Sequence, residues 1–528
     1  MTSIALPFRA PQLARADVYR YRYVIAFAVV LASVLELVDT SIVNVAIPHM
    51  MGNLGATLDE IAWVSTGYIV ANVIVLPMTS WFADRFGRRN YYTGSIVLFT
   101  FASLMSGNAH SLESLVAWRI VQGIGGGALI STAQAILFDV FPFEERGAAT
   151  AIFGVGVMVG PTLGPTLGGW ITDNYSWPWI FYINIPLGIL AAIMTWRFVP
   201  EPAHEVRRTD VVDWSGLGLL ILGIGALQIL LERGEAKGWF DAREIRVETA
   251  LAAIGVIGFV WRELTTSHPI VDLRVMANRQ LAVGLVFGVG LGFALYSSVF
   301  ALPVFLQGTL GDSAWDTGRV ILPGALAAAA SMAIMGRLGR RVDARLSIII
   351  GVGLFLWSMI LHSHLTAQSG LHDLFWPMIL RGFGTGMVFP PLTAAAVADL
   401  PPQRMGQGTG LYNLARQLGG SFGIAITATL ITRFSEQGRE ALRAHVNLAE
   451  PATQIRLAGL VQKFHALGGS LAEARQRAFA VLERMVRVQA SVIAFDKVFL
   501  VMGIAFVCML PLLLGFRRVR NAGGAGAH

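Results

Sequence analysis

Apolar residues run along this chain in blocks of roughly 20, separated by short charged or Pro/Gly-rich breaks. A hydrocarbon layer about 30 Å thick needs a helix of about that length, so each block predicts one membrane crossing. The first spans are expected at 23–47, 60–82, 91–109, 112–137, 147–172 and 178–199, followed by 213–232 and 248–264. Six more are expected at 281–307, 317–336, 346–366, 374–398, 406–432 and 491–516, fourteen in total. The first block is too long for a signal-peptide core and lacks a small-x-small cleavage site, so it reads as an uncleaved span.

The arginines and lysines then fix an orientation. With an even number of spans both termini share a side, and the tails and loops of that side carry 22 Lys/Arg. The short loops opposite carry few, mainly Arg233, Lys237, Arg243 and Arg246. Positive charge stays cytoplasmic, so both termini are expected inside. The outside segment 433–490 is long enough to escape that rule, and it reads as helical. Ser470 and Glu473 make a capping box that opens 471–488. There Leu471, Ala478, Leu482 and Met485 alternate with Arg475, Arg477, Glu483 and Arg484. Such a segment is either a solvated amphipathic lid or a docking surface for a partner outside the membrane.

Composition agrees with a membrane protein: of 528 residues, 55% are hydrophobic and 14% charged, where a soluble chain carries roughly a quarter charged. The net charge of +7 is spread between the apolar blocks. It marks topology rather than a nucleic-acid surface. Cys508 is the one cysteine, inside the last block, so no intrachain disulfide or zinc set is possible. It reads as a packing residue. No P-loop, HExxH or supported GxSxG is found, so neither an enzyme nor a cofactor is expected. His362 and His364 form an HxH near the outer end of a span and read as incidental rather than as a metal site.

Two motifs recur at nearly constant spacing. Arg85-Phe-Gly-Arg-Arg89 follows the second span, and Arg337-Leu-Gly-Arg-Arg341 lies 252 residues later. Gln122-Gly-Ile-Gly-Gly-Gly127 in the fourth span is echoed 259 residues later by Arg381-Gly-Phe-Gly-Thr-Gly386. Two similar six-helix bundles with two extra spans between them explain both repeats, and the site of such a transporter lies between its halves. The expected domains are a bundle over 1–200, two added helices over 201–265, and a second bundle over 266–516 that includes 433–490. A cytoplasmic tail follows over 517–528. The fifth span carries Gly156, Gly160, Gly164 and Gly168 at four-residue steps, with Gly169 beside them, a smooth stripe for close helix approach. Pro161 and Pro165 in the same span free backbone carbonyls and suit a packed hinge.

These motifs carry a resemblance. Asp84-Arg-Phe-Gly-Arg-Arg89, Arg119-Ile-Val-Gln-Gly123, the glycines of 154–169 and Leu37-Val-Asp-Thr-Ser-Ile-Val-Asn-Val-Ala-Ile-Pro48 resemble signature motifs of the major facilitator superfamily. The last two point to its fourteen-span drug:proton antiporter branch. Asp173-Asn-Tyr-Ser-Trp177, Trp179-Ile-Phe-Tyr-Ile-Asn-Ile-Pro186 and Leu227-Gln-Ile-Leu-Leu-Glu-Arg-Gly234 are similar to the EmrB-like exporters in particular. The likeness runs from about residue 25 to 516. It departs at Ser80, where the loop motif usually starts with glycine, and at Glu36, an acid the motif does not demand. The resemblance implies an all-α major facilitator fold of fourteen spans in the bacterial inner (plasma) membrane. In that family the loop of Asp84, Arg85, Gly87, Arg88 and Arg89 holds the halves together at the cytoplasmic gate.

Five ionisable residues fall well inside the expected spans: Glu36, Asp39, Arg119, Arg381 and Arg416. Each costs about 2.5–3.5 kcal/mol near the centre of an isolated helix, so it persists by pairing, by lining a wet cavity or by function. Glu36 and Asp39 are three residues apart and share a helix face. Two carboxylates that close in an apolar site do not readily both ionise, so one is expected to hold a proton. Thr40 and Asn44 continue that polar stripe. The resemblance puts Arg119 near the proton pathway. A guanidinium close to Asp39 favours its ionised form and expels the proton. Gln122, Arg381 and Arg416 join Thr40 and Asn44 as candidates to line the substrate cavity. Arg381 and Arg416 have no evident acidic partner in sequence.

The function expected from all this is proton-driven export of hydrophobic or amphipathic compounds, with H+ as the coupling ion and the lipid membrane as surroundings. The resemblance further implies a periplasmic adaptor (membrane fusion) protein and an outer-membrane channel as partners. A stand-alone exporter of one endogenous metabolite or siderophore fits the same motifs.

Overall fold

The computed structural model describes residues 15–142, 145–201, 212–338, 342–401, 404–446 and 450–516. The tail 517–528, residues 1–14, the stretch 202–211 and the end of the second arginine motif at 339–341 lie outside them. All regular structure among the described residues is helical.

The first half consists of α1 (Arg22–Leu54), α2 (Asp59–Phe86), α3 (Arg88–Gly107), α4 (Leu112–Val140), α5 (Arg146–Asn174) and α6 (Trp179–Phe198). Next come α7 (Trp214–Arg233) and α8 (Arg243–Thr265). The second half holds α9 (Arg279–Leu310), α10 (Ala314–Leu338), α11 (Ala344–His362), α12 (Leu371–Val397) and α13 (Met405–His445). A short α14 (Pro451–Ala466) and a final α15 (Leu471–Val507) complete the chain. Eleven of these helices are long and apolar enough to cross a membrane. Three more, α3, α8 and α12, have 20, 23 and 27 residues but a more polar composition.

Glycine lets the helices meet, and it does so twice by the same plan. A side chain at Gly123 or Gly127 would strike α2, at Tyr68 and Asn72, while one at Gly125 would strike α3 2.7 Å from the backbone of Phe99. In the second half, Gly382 and Gly386 press α12 onto α10 at Gly324 and Ala328. Gly384 presses it onto α11, where a Cβ would lie 2.7 Å from the carbonyl of Gly351. The two glycine runs therefore perform the same task in register. The stripe on α5 is used likewise: Gly156, Gly160, Gly164 and Gly168 receive Val30, Leu37, Ser41 and Ile42 of α1. Despite Pro161 and Pro165, α5 stays one helix. Its other face meets the second half, Gly154 against Met332 and Gly147 against Gly336.

The added helices α7 and α8 pack on each other, and α7 lies beside α2 and α13. At the N-cap of α7, Asp213 accepts from Gly216 N (3.1 Å), Ser215 Oγ (2.6 Å) and both Nε (2.8 Å) and Nη2 (3.2 Å) of Arg262. The bidentate arginine, followed by the other donors, holds the Asp213 carboxyl well below its usual range, at about 2.

The segment 433–490 is helical, as its sequence reads, and continuous with the spans on either side. No break occurs at 433: α13 continues unbroken to His445, 41 residues in all. At 1.5 Å per residue that is about 60 Å, twice the thickness of a hydrocarbon core. α15 likewise starts at the Ser470–Glu473 capping box and runs directly into the last span. Its buried stripe is Ala474, Ala478, Val486 and Ala490, whereas Leu471 and Met485 are exposed. Small residues let α13 and α15 pack closely, and Arg439, Arg443 and Arg487 gather on Glu483 between them. The two spans are thus extended outward as one rigid hairpin capped by α14.

Candidate functional site

α1 brings Asp39 into the middle of the first half, where it is fully buried. Its carboxylate pairs with Arg119 of α4. One oxygen also accepts from Gln122 Nε2 at 2.9 Å and from Asn184 Nδ2 of α6 at 2.8 Å. Arg119, 1% exposed, is satisfied in turn: Nε donates to Val64 O (3.1 Å) and Nη1 to Gln122 Oε1 (2.8 Å). Its guanidinium lies over the Tyr68 ring, 4.1 Å from the centroid. A second tier holds Asn184 through Ser103 Oγ at 3.1 Å, and Ser103 donates to Phe181 O at 2.9 Å. Three helices, α1, α4 and α6, thus meet at one carboxylate, with α2 and α3 supporting them. A buried ion pair persists only when its remaining lone pairs and protons are met in this way.

Glu36 lies one turn earlier but does not share that cage. Asn72 Nδ2 of α2 donates to its Oε1 at 2.8 Å, while Oε2 is buried without a hydrogen-bond partner. The two acids sit one turn apart, as their spacing predicts, and each has its own hydrogen-bond partners: Arg119, Gln122 and Asn184 for Asp39, Asn72 for Glu36. Along the stripe, Glu36 is buried, Thr40 half-buried and Asn44 exposed. Thr40 Oγ1 donates to the Glu36 carbonyl at 2.8 Å and Ser65 Oγ to Asn44 Oδ1 at 3.2 Å. Access to Glu36 therefore grows toward the end of the bundle opposite the arginine motif.

The second half supplies two buried arginines, neither paired with a carboxylate among the described residues, while its own acid, Asp496 of α15, is half-buried with Oδ1 lacking a hydrogen-bond partner. Arg381 donates to Ser298 O at 3.1 Å. Arg416 donates to Tyr296 Oη at 2.9 Å and lies 3.5 Å from Asn413 Oδ1, while its buried Nε has no partner. Asn413 reaches across the halves to Gln134 Oε1 at 2.9 Å. His362 is buried against Ser358 while His364 is exposed, so the HxH does not converge.

Arg88 pairs with Asp139 of α4, and Arg89 approaches Glu201 at 4.0 Å and stacks near Trp196. Gly87 takes φ +86 between α2 and α3, where a side chain would lie 2.9 Å from Glu201. Arg85 lies over Trp81, and Asp84 precedes it at the end of α2. Just before the motif, Ser80 meets the other half, where a Cβ on Gly406 would sit 3.1 Å from its hydroxyl. Glycine's replacement by serine leaves that approach possible.

Sequence reasoning missed Asn72, Asn184, Ser103, Tyr68, Tyr296, Asn413 and Gln134. Most carried a signal: amides or hydroxyls inside apolar blocks, where unsatisfied polar groups are costly.

Two helical halves around paired buried charges, with no catalytic constellation among the described residues, define a polytopic transporter. The profile of the Major Facilitator Superfamily matches residues 29–424. The chain is 33% identical to Multidrug export protein EmrB of Escherichia coli (strain K12) over 512 residues, covering 95% of this chain and 97% of that one. It is 33% identical to Fatty acid resistance protein FarB of Neisseria gonorrhoeae over 94% of this chain and 96% of that protein. A crystal structure of the human organic anion transporter MFSD10 (TETRAN) shares the fold with a TM-score of 0.58 at 14% identity, covering 92% of this chain and 99% of that one. The chain belongs to the major facilitator superfamily and groups with its EmrB-like exporters. It is a transporter rather than an enzyme, and a multi-pass protein of the bacterial inner membrane.

Proposed function

We propose that this chain is a proton-driven multidrug exporter, a drug:H+ antiporter for hydrophobic and amphipathic compounds, with fourteen spans and both termini cytoplasmic. Asp39, Glu36 and Arg119 carry the coupling. The observation that supports this most is the buried Asp39 carboxylate held by Arg119, Gln122 and Asn184, one turn from Glu36 with its unpartnered oxygen. Protonating Asp39 removes the charge that Arg119 answers, leaving the guanidinium to Gln122 and the Val64 carbonyl; the cage then favours a different packing of α1 against α4. Protons reach Glu36 along Thr40 and Asn44 from the periplasmic end. Gln122, Arg381 and Arg416 face the cargo, Asp84, Arg85, Gly87, Arg88 and Arg89 form the cytoplasmic gate, and the α5 glycines with Pro161 and Pro165 are its hinge. The relatives' printed names, multidrug export for EmrB and fatty acid resistance for FarB, support amphipathic cargo.

In this reading the chain is the inner-membrane component of a tripartite pump. The α13–α15 hairpin meets a periplasmic adaptor, which joins an outer-membrane channel. The test is a pH gradient in vesicles: cargo collapses it with the native protein, and Asp39→Asn abolishes the collapse while the protein stays in the membrane. Full coupling in Asp39→Asn overturns the proposal. A second reading, export of one endogenous acidic amphiphile without partners, is favoured by Arg416, a buried cation with a free Nε.

A further inference from the structure

The turn that joins α7 to α8 reaches both halves at the end of the bundle opposite the arginine motif. Toward the first half, Asp59 at the start of α2 is held by Arg233 at 3.1 Å and by Lys237 at 2.6 Å. The Arg233 guanidinium also lies 5.0 Å from the centre of the Trp63 ring. Toward the second half, Trp239 Nε1 donates to Thr429 Oγ1 of α13 at 2.9 Å, and Thr432 Oγ1 donates to Glu235 Oε1 at 2.6 Å. The Thr429 hydroxyl donates its own proton to the Ala425 carbonyl at 2.8 Å, which leaves its lone pairs for the indole. Nearer the membrane centre, Ser421 of α13 donates to Gln228 Oε1 of α7 at 3.0 Å. Neither the Asp39 cage nor the glycine repeats accounts for a loop that ties α2 to α13.

Trp239 is the strained point of that loop. It is the one non-glycine with positive φ among the described residues, at +55, a conformation that a bulky residue rarely takes. Such a backbone persists only where its surroundings fix it, and it gathers at clamps and switches. Here Trp239 N donates to Gly234 O at 2.7 Å, and Gly238 before it takes φ +71. The ring covers Gly234, where a Cβ would lie 2.6 Å away. Halves that rock as bodies change the separation of α2 and α13 at this end, and a hydrogen bond is lost by about 3.6 Å. The loop therefore does not keep both attachments through the cycle. On the α2 side, α7 is also packed sideways, its Gly225 facing Ile74 at 3.5 Å. On the α13 side, this end is held by hydrogen bonds that water replaces at small net cost. We propose that the α7–α8 loop is a strap holding the outer ends of the two halves together, and that it lets go between Trp239 and Thr429 when this end opens, moving with α2. Strain at Trp239 favours release and the bonds to α13 favour closure, which makes the strap a two-position element. This goes beyond the proton-coupling reading and uses only the two-half architecture.

The test is the distance between spin labels on Asn53→Cys of α1 and Glu436→Cys of α13, both exposed positions, with Cys508→Ala removing the native thiol. It is read by double electron–electron resonance on the purified full-length protein in lipid nanodiscs, without cargo or a pH gradient. With the native strap the shorter distance predominates. Trp239→Phe keeps a ring without the N–H, and Thr429→Val keeps the threonine shape without the acceptor. Each is expected to raise the longer-distance population about threefold. Asp59→Asn is expected to change it by less than about twofold, since exposed ion pairs contribute little. Unchanged distances in both Trp239→Phe and Thr429→Val overturn the strap. Opening in Asp59→Asn without opening in the other two overturns the assignment of the release point to Trp239. Because neither proton nor cargo enters the measurement, its failure leaves the antiport reading to its own pH-gradient test, and failure there leaves the strap standing.

Discussion

The two halves of this molecule share a scaffold and differ in their charges. In α4 and α12, runs of glycine 259 residues apart press each helix onto its two neighbours in matching ways. Yet Gln122, which serves the Asp39 cage, stands where the second half has Arg381. The first half encloses a carboxylate with its arginine and two amides; the second encloses two arginines with carbonyls, an amide and a phenol. Packing is therefore duplicated, while the fully buried carboxylate–arginine pair occurs in the first half only among the described residues. A rocking transporter needs both halves to move as bodies, but it needs an acid–base element in only one of them.

Breaking the carboxylate side is expected to have the largest effect. Asp39→Asn leaves Arg119 buried beside neutral acceptors, and orphaning a buried charge costs about 3–5 kcal/mol. Coupled export is lost and the melting temperature falls. Asp39→Asn combined with Arg119→Gln recovers the melting temperature but not export. A double variant that still moves protons with cargo removes the distinction between the halves.

The shared scaffold predicts symmetry at the next level. Gly123→Ala places a methyl against the Tyr68 carbonyl, and Gly382→Ala against that of Gly324. Neither backbone atom can rotate away, and overpacking of this kind costs about 1–3 kcal/mol or more. Thermal unfolding of the two variants is expected to shift by similar amounts. A large loss in one and none in the other means that the repeat is one of sequence only.

Arg416 sharpens the comparison from the other side. Its removal strands little, because the Tyr296 hydroxyl still donates to Gln417 Oε1 at 3.1 Å. Arg416→Met is expected to fold normally and to lower export of anionic amphiphiles about tenfold, while cationic cargo is affected little. Glu36→Gln, which keeps the Asn72 contact, is expected to show the opposite preference. Equal losses for both cargo classes in both variants mean that these groups serve folding rather than selection.

The sequence made the charges legible because an ionised group in an apolar block is conspicuous at several kcal/mol. Asp39 and Arg119 were found that way, and the glycine runs by their repeat along the chain. The amides Asn72 and Asn184 were not, since an uncharged polar residue costs less and stands out less in hydropathy. The separate fates of Glu36 and Asp39 were hidden too: three residues of spacing share a face, but the partners that divide it come from α2, α4 and α6. At residue 433 the charged stretch marked the end of the apolar block, which is not the end of the helix. Hydropathy reports where the membrane stops, and α13 continues beyond it as a helix in water.

The smallest effect is expected where neither half is involved, at the clasp between α7 and α8. The Asp213 carboxyl is held at about 2 by Arg262, below an unfolded value of about 3.9. A depressed acid stabilises the fold above its unfolded value and loses that contribution as pH falls through the folded one. Asp213→Asn is thus expected to melt a few degrees lower than the native protein at pH 7, with the gap narrowing from about pH 4 to pH 2. The amide retains acceptors for Ser215 and Gly216, so only the arginine's share should be lost. Because α7 and α8 lie outside both repeats, export driven by a pH gradient should be unchanged in this variant. Coupling lost together with the clasp would instead make the added pair a working part of the first half's acid–base element.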